Sequence, residues 1–360
     1  MDRRNRAENQ QRNRAKVLAA ARAEFAERGF RDAKVDGIAA RAGLTRGAVY
    51  SNFPGKRALY FAVLADIAEH APLATHAEPG RTVGDALGAF ARAWVAELPL
   101  AEDANDDGTG GLSRYLLTEI IADDRVRRAF AQLTRLDAIL LGLALEGVRP
   151  PRARPARLVR VAETALTTLH GASRMAEAAP GFVEPFDIIS ACAHLAEIDL
   201  DDTWPPPHIP YIAPARPADR PWAPPAAEDV LRGKPAPLGI DGVVAILGLH
   251  RLEAVEEAVR AAPDGDGVSV VVVTGDQELA PLARLTVARL RACLRPAVPA
   301  AAWPRLSVVF DDAGTIAAAA GVHAVSDTTE TAVRITAGRI TAQADGHGAP
   351  HAAASTNPTT

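Results

Sequence analysis

Hydrophobic residues recur at intervals of three and four in the first part of the chain and form short continuous runs in the last third. After residue 80, five segments have the helical spacing, at 84–99, 113–122, 126–147, 155–179 and 185–198. After residue 240 the pattern changes to apolar runs of strand length, at 242–249, 268–275, 306–312 and 331–338, with helical stretches between the first three. A hairpin is predicted from Thr331 to Thr336 and Arg339 to Ala342, with its turn at Ala337 and Gly338. The pattern therefore predicts an all-α region followed by an α/β region.

Proline marks the boundary between these two regions. Eleven of the 27 prolines lie between Trp204 and Pro237. Because proline removes backbone donors and fixes φ, the segment is expected to act as a semi-rigid linker. It can also lie as a strap across a domain surface, which would shelter Trp204, Tyr211 and Trp222. The tail from Gly346 has no periodic apolar face and is expected to be disordered.

Two short helices joined by a tight turn are predicted within the first fifty-odd residues. They follow a longer amphipathic helix that ends at Gly29. Apolar spacing places the first short helix at Val35 to Ala42, and Gly43 ends it. Thr45 can cap a second helix from Arg46 to Asn52.

The second short helix has an inward and an outward face. Val49 and Phe53, four residues apart, are expected to face the core. The residues left outward are Thr45, Arg46, Gly47, Tyr50 and Asn52.

The charge of the chain is concentrated at its front. Residues 1–60 contain 14 Lys or Arg and 6 Asp or Glu, a balance of +8, whereas the whole chain has a net charge of −4. A local basic excess is typical of a module that touches nucleic acid, although a solvated basic helix gives the same count. Five arginines precede the first helix core and form either a solvated, disordered arm or an arm that reaches a flanking minor groove: Arg3, Arg4, Arg6, Arg12 and Arg14.

The stretch VDGIAARAGLTRGAVYSNFPGKRALYFAVL, at 35–64, resembles the TetR family of one-component transcriptional repressors, and the match extends over about residues 14–65. The resemblance implies a helix-turn-helix whose second helix enters the major groove of double-stranded operator DNA. It places four residues against base edges or the adjoining phosphates, Thr45, Arg46, Gly47 and Ala48. It places three more on or near the DNA backbone, Tyr50, Asn52 and Lys56. Ala33 and Lys34 stand where the family usually has a Ser or Thr cap, and Lys34 adds a possible phosphate contact.

The same resemblance implies an all-α regulatory domain that dimerises through its last two helices and holds a small-molecule effector between the others. A homodimer of this kind would read a palindromic operator. Candidate pocket residues are Phe90, Trp94, Tyr115, Leu116, Phe130 and Met175. The predicted fold class is thus multidomain, with a helix-turn-helix domain at 1–60, an all-α domain at 61–203, a linker at 204–237, an α/β domain at 238–345 and a disordered tail at 346–360.

The α/β region resembles a thioredoxin-like fold, chiefly through FDDAGTIAAAAGV and TAVRITAGRI near its end. In thioredoxin-like enzymes a cysteine follows the first strand, but here Leu249 to Glu253 contain none. Cys192 and Cys293 stand elsewhere, so we expect a non-catalytic accessory domain with no cofactor and no metal. The alternative is a redox-linked protein in which this domain acts as sensor or enzyme.

Other classes of protein fit the sequence less well. The longest apolar runs have eight residues, too few to span a membrane, and no apolar stretch behind the basic N-terminus indicates a secretory signal. A cytoplasmic protein is expected. A nucleotide-binding βαβ unit is not indicated, since only Gly248 follows the first strand where a glycine-rich motif is needed. No paired carboxylates or Ser-His pair indicates an enzyme.

Overall fold

The computed structural model describes residues 2–71, 78–98, 110–150, 156–204 and 206–356. Its first half is helical, as the spacing of apolar residues predicts, and residues 99 and 155 at the ends of two predicted helices lie outside the described part. The helices are α1 (Asp2–Asp32), α2 (Val35–Ala42), α3 (Arg46–Tyr50), α4 (Lys56–His70), α5 (Val83–Val95), α6 (Leu116–Ile121), α7 (Asp124–Val148), α8 (Val159–Ala178) and α9 (Pro185–His194).

Two glycines shape the turns among the first helices. Gly29 has φ 71° and kinks α1 before its end. Gly43 ends α2 in the left-handed region, with φ 65° and ψ 33°, where a residue with a Cβ is strained. The predicted boundary of α2 is confirmed, and its first residue follows Lys34, whose side chain makes no capping hydrogen bond.

An aromatic cluster holds α4 against α1. The rings of Phe25 and Tyr60 meet edge to face at 5.8 Å, and the ring of Phe30 lies 4.5 Å from that of Tyr60. Tyr60 is fully buried, and its hydroxyl donates to the carbonyl of Leu112. Burial raises the pKa of Tyr60, so the hydroxyl stays a donor. The cluster thereby joins the helix-turn-helix unit to the helices that follow.

The α/β region contains a six-stranded sheet and four helices. Its strands are β1 (Arg216–Pro221), β2 (Glu228–Asp229), β3 (Lys234–Pro235), β4 (Gly242–Gly248), β5 (Gly267–Val273), β6 (Leu306–Phe310), β7 (Glu330–Thr336) and β8 (Arg339–Asp345). Its helices are α10 (Val255–Ala261), α11 (Ala280–Ala297), α12 (Thr315–Ala319) and α13 (Ala349–Ala354). The sheet order is β1-β8-β7-β4-β5-β6, while β2 and β3 form a separate pair.

The predicted succession of strands and helices after residue 242 is confirmed. β4, β5 and β6 are parallel neighbours, and β7 returns antiparallel to β4. The hairpin of β7 and β8 turns at Ala337 and Gly338, with φ 49° and 72°, as the sequence predicts. The arrangement is a mixed sheet with helices, and its thioredoxin-like identity stays a prediction.

One face of the sheet is joined to the helical half through α11. α10 and α11 lie on the same face of the sheet, since buried residues of both helices pack in one core with Val243 and Ala245 of β4 and Val268 and Val270 of β5. α11 also packs against α4, α5 and α7. Its buried leucines include Leu282, Leu285 and Leu294, each contributing about 1.5–3 kcal/mol by burial. The stretches 61–203 and 238–345, expected to be separate domains, therefore share one continuous core.

The proline-rich segment does not act as a free spacer. Residues 216–221 form β1, which pairs with β8 at the edge of the sheet, where proline is tolerated. Trp222 is buried and its indole N–H donates to the carbonyl of Leu238 at 2.6 Å. Tyr211, however, is 88% exposed, so the strap shelters only part of its aromatic residues. Residue 205 lies outside the described part of the chain.

The expectation of a disordered tail from residue 346 is wrong for most of that segment. Residues Ala349–Ala354 form α13, which packs against α10, β7 and β8. Ala349, Ala353 and Ala354 are buried because small side chains let the helix approach the sheet closely. The sequence signal was missed because a run of alanines has little hydrophobic contrast. Residues 357–360 lie outside the described part.

Candidate nucleic-acid interface and buried cavity

The start of α3 is fixed from both sides. The side chain of Thr45 accepts a hydrogen bond from the backbone N–H of Ala48 at 3.2 Å, which confirms the predicted cap. Val49 and Phe53 are each 2% exposed and anchor the helix to the core, also as predicted. α3 itself ends at Tyr50, two residues before the predicted end. The opposite face of α3 is therefore presented rigidly to solvent.

Three predicted DNA-contacting residues lie exposed at the first turn of α3: Thr45, Arg46 and Gly47. Ala48 is partly buried and Tyr50 is 42% exposed. A Cβ added to Gly47 would meet only the hydroxyl of Thr45, at 3.9 Å. The fold thus has space for a side chain at Gly47, and the glycine leaves the backbone of α3 open to close approach from outside.

Arg46 has local partners on the same surface. Its guanidinium lies 3.5 Å from the carboxylate of Asp36 in α2 and 5.5 Å from the centre of the Tyr50 ring. Both members of the ion pair are largely exposed, at 62% and 69%, and exposed pairs contribute little to stability. The guanidinium can therefore exchange Asp36 for another anion or for base edges at small cost.

Lys56 is engaged within the chain. Its ammonium donates to the carbonyls of Arg31 at 3.0 Å and Ala33 at 2.8 Å, and it lies 4.7 Å from the centre of the Phe30 ring. Burial lowers the pKa of Lys56. The lysine ties the start of α4 to the loop between α1 and α2, a role that the sequence did not indicate. Its predicted grip on a DNA phosphate stays a prediction and would use its remaining hydrogen.

Asn52 also has an internal role. Its side-chain amide donates to the carbonyl of Ala48 at 2.8 Å, which closes the end of α3. Its backbone carbonyl accepts from Arg14 at 3.3 Å, and Arg14 lies 4.4 Å from the centre of the Phe53 ring. Lys34 is exposed before α2, in a place open to a phosphate.

The basic segment before the first core residue is helical, so the expected disordered arm is wrong. α1 begins at Asp2. Arg14 packs on the helix-turn-helix as described, and Arg12 donates to the side chain of Asn9. The side chains of Arg3, Arg4 and Arg6 lie outside the described part of the chain, and their predicted minor-groove contact stays a prediction.

Arg57, which the sequence analysis did not single out, connects three parts of the chain. Its guanidinium donates to Asp123, at the N-cap of α7, at 2.9 Å. It also donates twice to Glu278, just before α11, at 3.1 and 2.9 Å. The guanidinium lowers the pKa of Asp123 to about 2. A sequence signal was absent because Glu278 lies 221 residues away.

A cavity of about 150 Å³ lies between the middle helices and α11. Three of the six predicted pocket residues line it, Trp94, Leu116 and Phe130. The other three do not, for reasons of packing. Phe90 is fully buried in the core, Tyr115 packs on Phe30 at 6.2 Å, and Met175 is 39% exposed.

The cavity wall carries polar side chains that the sequence analysis missed. Asp137 in α7 is 6% exposed, and its Oδ1 has no hydrogen-bond partner in the described part of the chain. His170 in α8 meets the ring of Trp94 edge-on at 4.9 Å. Arg289, from α11, lies 5.2 Å from the centre of the same Trp94 ring. Burial, and then the charge of Arg289, lower the pKa of His170 to about 4, so this imidazole is neutral near neutral pH.

The two cysteines are free and buried. Burial raises the pKa of Cys192 in α9 to about 11 and raises that of Cys293 in α11 as well. Such thiols react slowly because the thiolate is the reactive form. Among residues the structure describes, no group of three His, Cys, Asp or Glu side chains is placed to hold a metal ion. No helix in that part of the chain has both the length and the apolar character to cross a bilayer.

Residues 17–63 match the family model described as bacterial regulatory proteins, tetR family. A search of curated proteins finds no match. Solved structures with similarity include a TetR transcriptional regulator from Rhodococcus sp. RHA1, 17% identical, over 54% of this chain and 99% of that chain with a TM-score of 0.35. A second transcriptional regulator from the same organism is 24% identical, over 53% of this chain and 99% of that chain, TM-score 0.32. A fatty acid degradation regulator from Bacillus halodurans is 16% identical, over 51% of this chain and 96% of that chain, with a TM-score of 0.23. TM-scores this low carry no argument about fold or ligand.

Proposed function

We propose that this chain, whose residues 17–63 match the tetR family model, is a transcriptional regulator that represses by binding operator DNA as a homodimer. The observation that carries the proposal is the exposed first turn of α3. There a capped, core-anchored helix presents Thr45, Arg46 and a glycine that the fold itself leaves with free space. A helix presented in this way fits the major groove and lets backbone and side chains reach base edges.

Charge supports binding to a polyanion. Residues 1–60 carry a balance of +8 in a chain whose net charge is −4. In the proposed complex Arg46 reads a base edge, Tyr50 donates to a phosphate, and Lys34 adds a second phosphate contact. Neutralised phosphates release counterions, so the affinity falls steeply as the salt concentration rises.

The homodimer is proposed to form through α8 and α9. Near the start of α9, Phe182 and Phe186 are 71% and 79% exposed, and large exposed apolar side chains commonly mark interaction surfaces. In α9 the one residue buried within the chain is Cys192, which leaves most of the helix available to a second copy. A twofold axis there would set two α3 helices against two half-sites of a palindrome.

Regulation is proposed to use a small molecule in the cavity beside Trp94. An effector that prefers one arrangement of the helices shifts the population toward that arrangement. Lys56 in the first turn of α4 donates to the carbonyl of Ala33 just before α2, so a shift of α4 is expected to move the helix-turn-helix. The proposal gives the chain no catalytic role and places it in the cytoplasm.

The alternative of a redox sensor or enzyme has less support. Both thiols are buried, and the pKa of each is raised. The place after β4 where a redox-active cysteine is expected is occupied by Leu249 to Glu253. We therefore propose that the α/β region is a non-catalytic accessory part of the regulator.

The experiment is selection of bound sites from random duplex DNA by the full chain at low salt. A twofold-symmetric consensus is expected. Arg46→Ala should reduce discrimination at one position of each half-site by about 1–3 kcal/mol. Arg295→Ala removes the same charge from the exposed end of α11, far along the chain from α3, and should leave the consensus unchanged. Recovery of no preferred sequence would refute the proposal, and an asymmetric consensus would refute the homodimer.

A further inference from the structure

The cavity beside Trp94 is built by both halves of the chain. α5 to α8 and the segment before α6 supply most of its wall. The remaining side comes from α11, through Leu282, Leu285, Thr286 and Arg289. Any occupant must therefore touch the α/β region as well as the helical region.

Arg289 is a cation on the wall of this cavity. Its side chain is 25% exposed, and its one ion pair among the described residues joins Nε to Glu97 at 3.9 Å. That distance is too long for a hydrogen bond, and no hydrogen bond from either Nη atom is present in the described part of the chain. A guanidinium has five N–H donors in a planar fork that matches a carboxylate. The fork of Arg289 is thus available to a ligand.

Asp137 adds a second polar group with an open position. It is 6% exposed, it lines the cavity, and its Oδ1 lacks a hydrogen-bond partner within the described residues. Burial raises the pKa of Asp137 well above its usual value, and the charge of Arg289 opposes this only in part. A neutral carboxyl group is a hydrogen-bond donor. It can donate to an oxygen that Arg289 also holds.

Much of the rest of the cavity wall is apolar. This part consists of Leu98, Leu116, Leu117, Ile120, Phe130, Leu282 and Leu285. The remaining charged pair on the wall, Arg174 and Glu177, is mutually compensated at 3.3 Å. The cavity wall therefore combines the guanidinium of Arg289, whose only ion-pair partner among the described residues is the distant carboxylate of Glu97, with a largely hydrocarbon surface around about 150 Å³ of space.

We propose that this cavity binds a small organic acid with an apolar body, whose carboxylate pairs with Arg289 of α11 and accepts from Asp137. The body of the acid lies against the leucines and Phe130. An amine is disfavoured because its cation would lie beside Arg289. A neutral amide is disfavoured because it cannot form an ion pair with the guanidinium. The inference rests on the proposed function for the role of the ligand as an effector. It adds that a residue of the α/β region binds the acid group of that effector.

The test is calorimetric titration of the full chain with octanoate and phenylacetate, each compared with its amide and with the amine of the same carbon skeleton. Carboxylates are expected to bind at least about tenfold more tightly than amides and amines. Arg289→Gln should remove this preference and weaken carboxylate binding about tenfold or more. Arg295→Gln, an exposed change on the same helix, should leave it intact.

A loss of folding in Arg289→Gln is separated from a loss of binding by two further measurements. Octanoate should raise the melting temperature of the wild-type chain, and Arg289→Lys, which keeps the charge but not the fork, should bind with intermediate affinity. Equal affinity for acid and amide, preference for amines, or no binding of any member of the panel would overturn the inference. Titration of the same preparation with its selected duplex, without ligand, tests the proposed function separately.

Discussion

At the scale of single residues, different physical constraints explain two glycines of the helix-turn-helix. Gly43 has φ 65°, a conformation that a residue with a Cβ adopts only under strain. Gly47 has no such constraint, and a Cβ there would meet only the hydroxyl of Thr45 at 3.9 Å. The first glycine is required by the chain itself, and the second fits the proposed close approach of DNA.

The difference gives a prediction for two alanine variants. Gly47→Ala is expected to keep or raise the melting temperature, because alanine favours helix by up to about 1 kcal/mol, and to weaken duplex binding. Gly43→Ala is expected to lower the free energy of unfolding by about 1 kcal/mol or more. Thermal unfolding and duplex titration of both variants check this. Unchanged DNA affinity in Gly47→Ala would contradict the proposed placement of α3 in the major groove.

Lys56 shows how a residue whose place at a helix start was predicted correctly can have a role that was not predicted. The sequence placed it at the start of a helix, and α4 does begin there. Its two hydrogen bonds to the carbonyls of Arg31 and Ala33 were not predictable, because backbone carbonyls carry no sequence signature. Loss of its ammonium would therefore disturb the position of α4 as well as any phosphate contact.

At the scale of elements, local signals predicted most helices and strands. The cap at Thr45 and the turn at Ala337 and Gly338 depend on residues close in sequence, and both were predicted correctly. α13 was missed because alanine has little apolar contrast and gains its burial only from the sheet it covers. β1 was missed because its prolines argue against a strand in the sequence. An edge strand tolerates them, since one side of it pairs with no neighbour.

The packing of α13 predicts a strong effect of charge at its buried face. Ala353 is fully buried, so Ala353→Asp should lower the free energy of unfolding by about 3 kcal/mol or more, since an unpaired carboxyl would enter an apolar site. Ala226→Asp, at an exposed loop residue, is the matched control and should have little effect. Chemical denaturation measures both. Equal stability of the two variants would show that α13 contributes nothing to the core.

At the scale of the whole molecule, α11 joins the sheet to the helical half. It packs against α4, α5 and α7, and Glu278 just before it binds Arg57 in the first turn of α4. The α/β region thereby contacts α4, the helix that follows the helix-turn-helix. A change at the cavity wall of α11 has a direct physical route to α4.

The Arg57–Glu278 contact predicts measurable coupling. The side chains are 18% and 21% exposed, and a double-mutant cycle with Arg57→Gln and Glu278→Gln should give about 1 kcal/mol or more in the free energy of unfolding. The exposed pair of Arg305 and Asp264, at 3.6 Å, is the control and should give no measurable coupling. Zero coupling for the first pair would remove it as a link between the two halves.

The neighbouring contact between Asp123 and Arg57 should make the free energy of unfolding depend on pH with a defined sign. Asp123 also binds Arg57, and its pKa is lowered from 3.8 to about 2. Its contribution to stability is complete above about pH 4 and is lost as the pH falls toward 2, because the unfolded chain then binds the proton more readily.

The sequence by itself determined the local structure of the helix-turn-helix and of the β7–β8 hairpin. Caps, helix-ending glycines and apolar spacing act over a few residues, so the sequence predicted α2, the start of α3 and the β7–β8 hairpin. Arg46 is exposed at the first turn of α3, whereas Val49 and Phe53 are buried, as the sequence analysis expects.

Only the tertiary structure decided how the two halves meet. Arg57 and Glu278 are 221 residues apart, and Arg289 reaches the ring of Trp94 from beyond the proline-rich segment. Such contacts depend on which apolar faces pack together. Many helices and strands of a chain have apolar faces of similar composition, so the sequence pattern does not say which two faces will pair. The choice is made by shape and close packing over the whole core, which no local pattern contains.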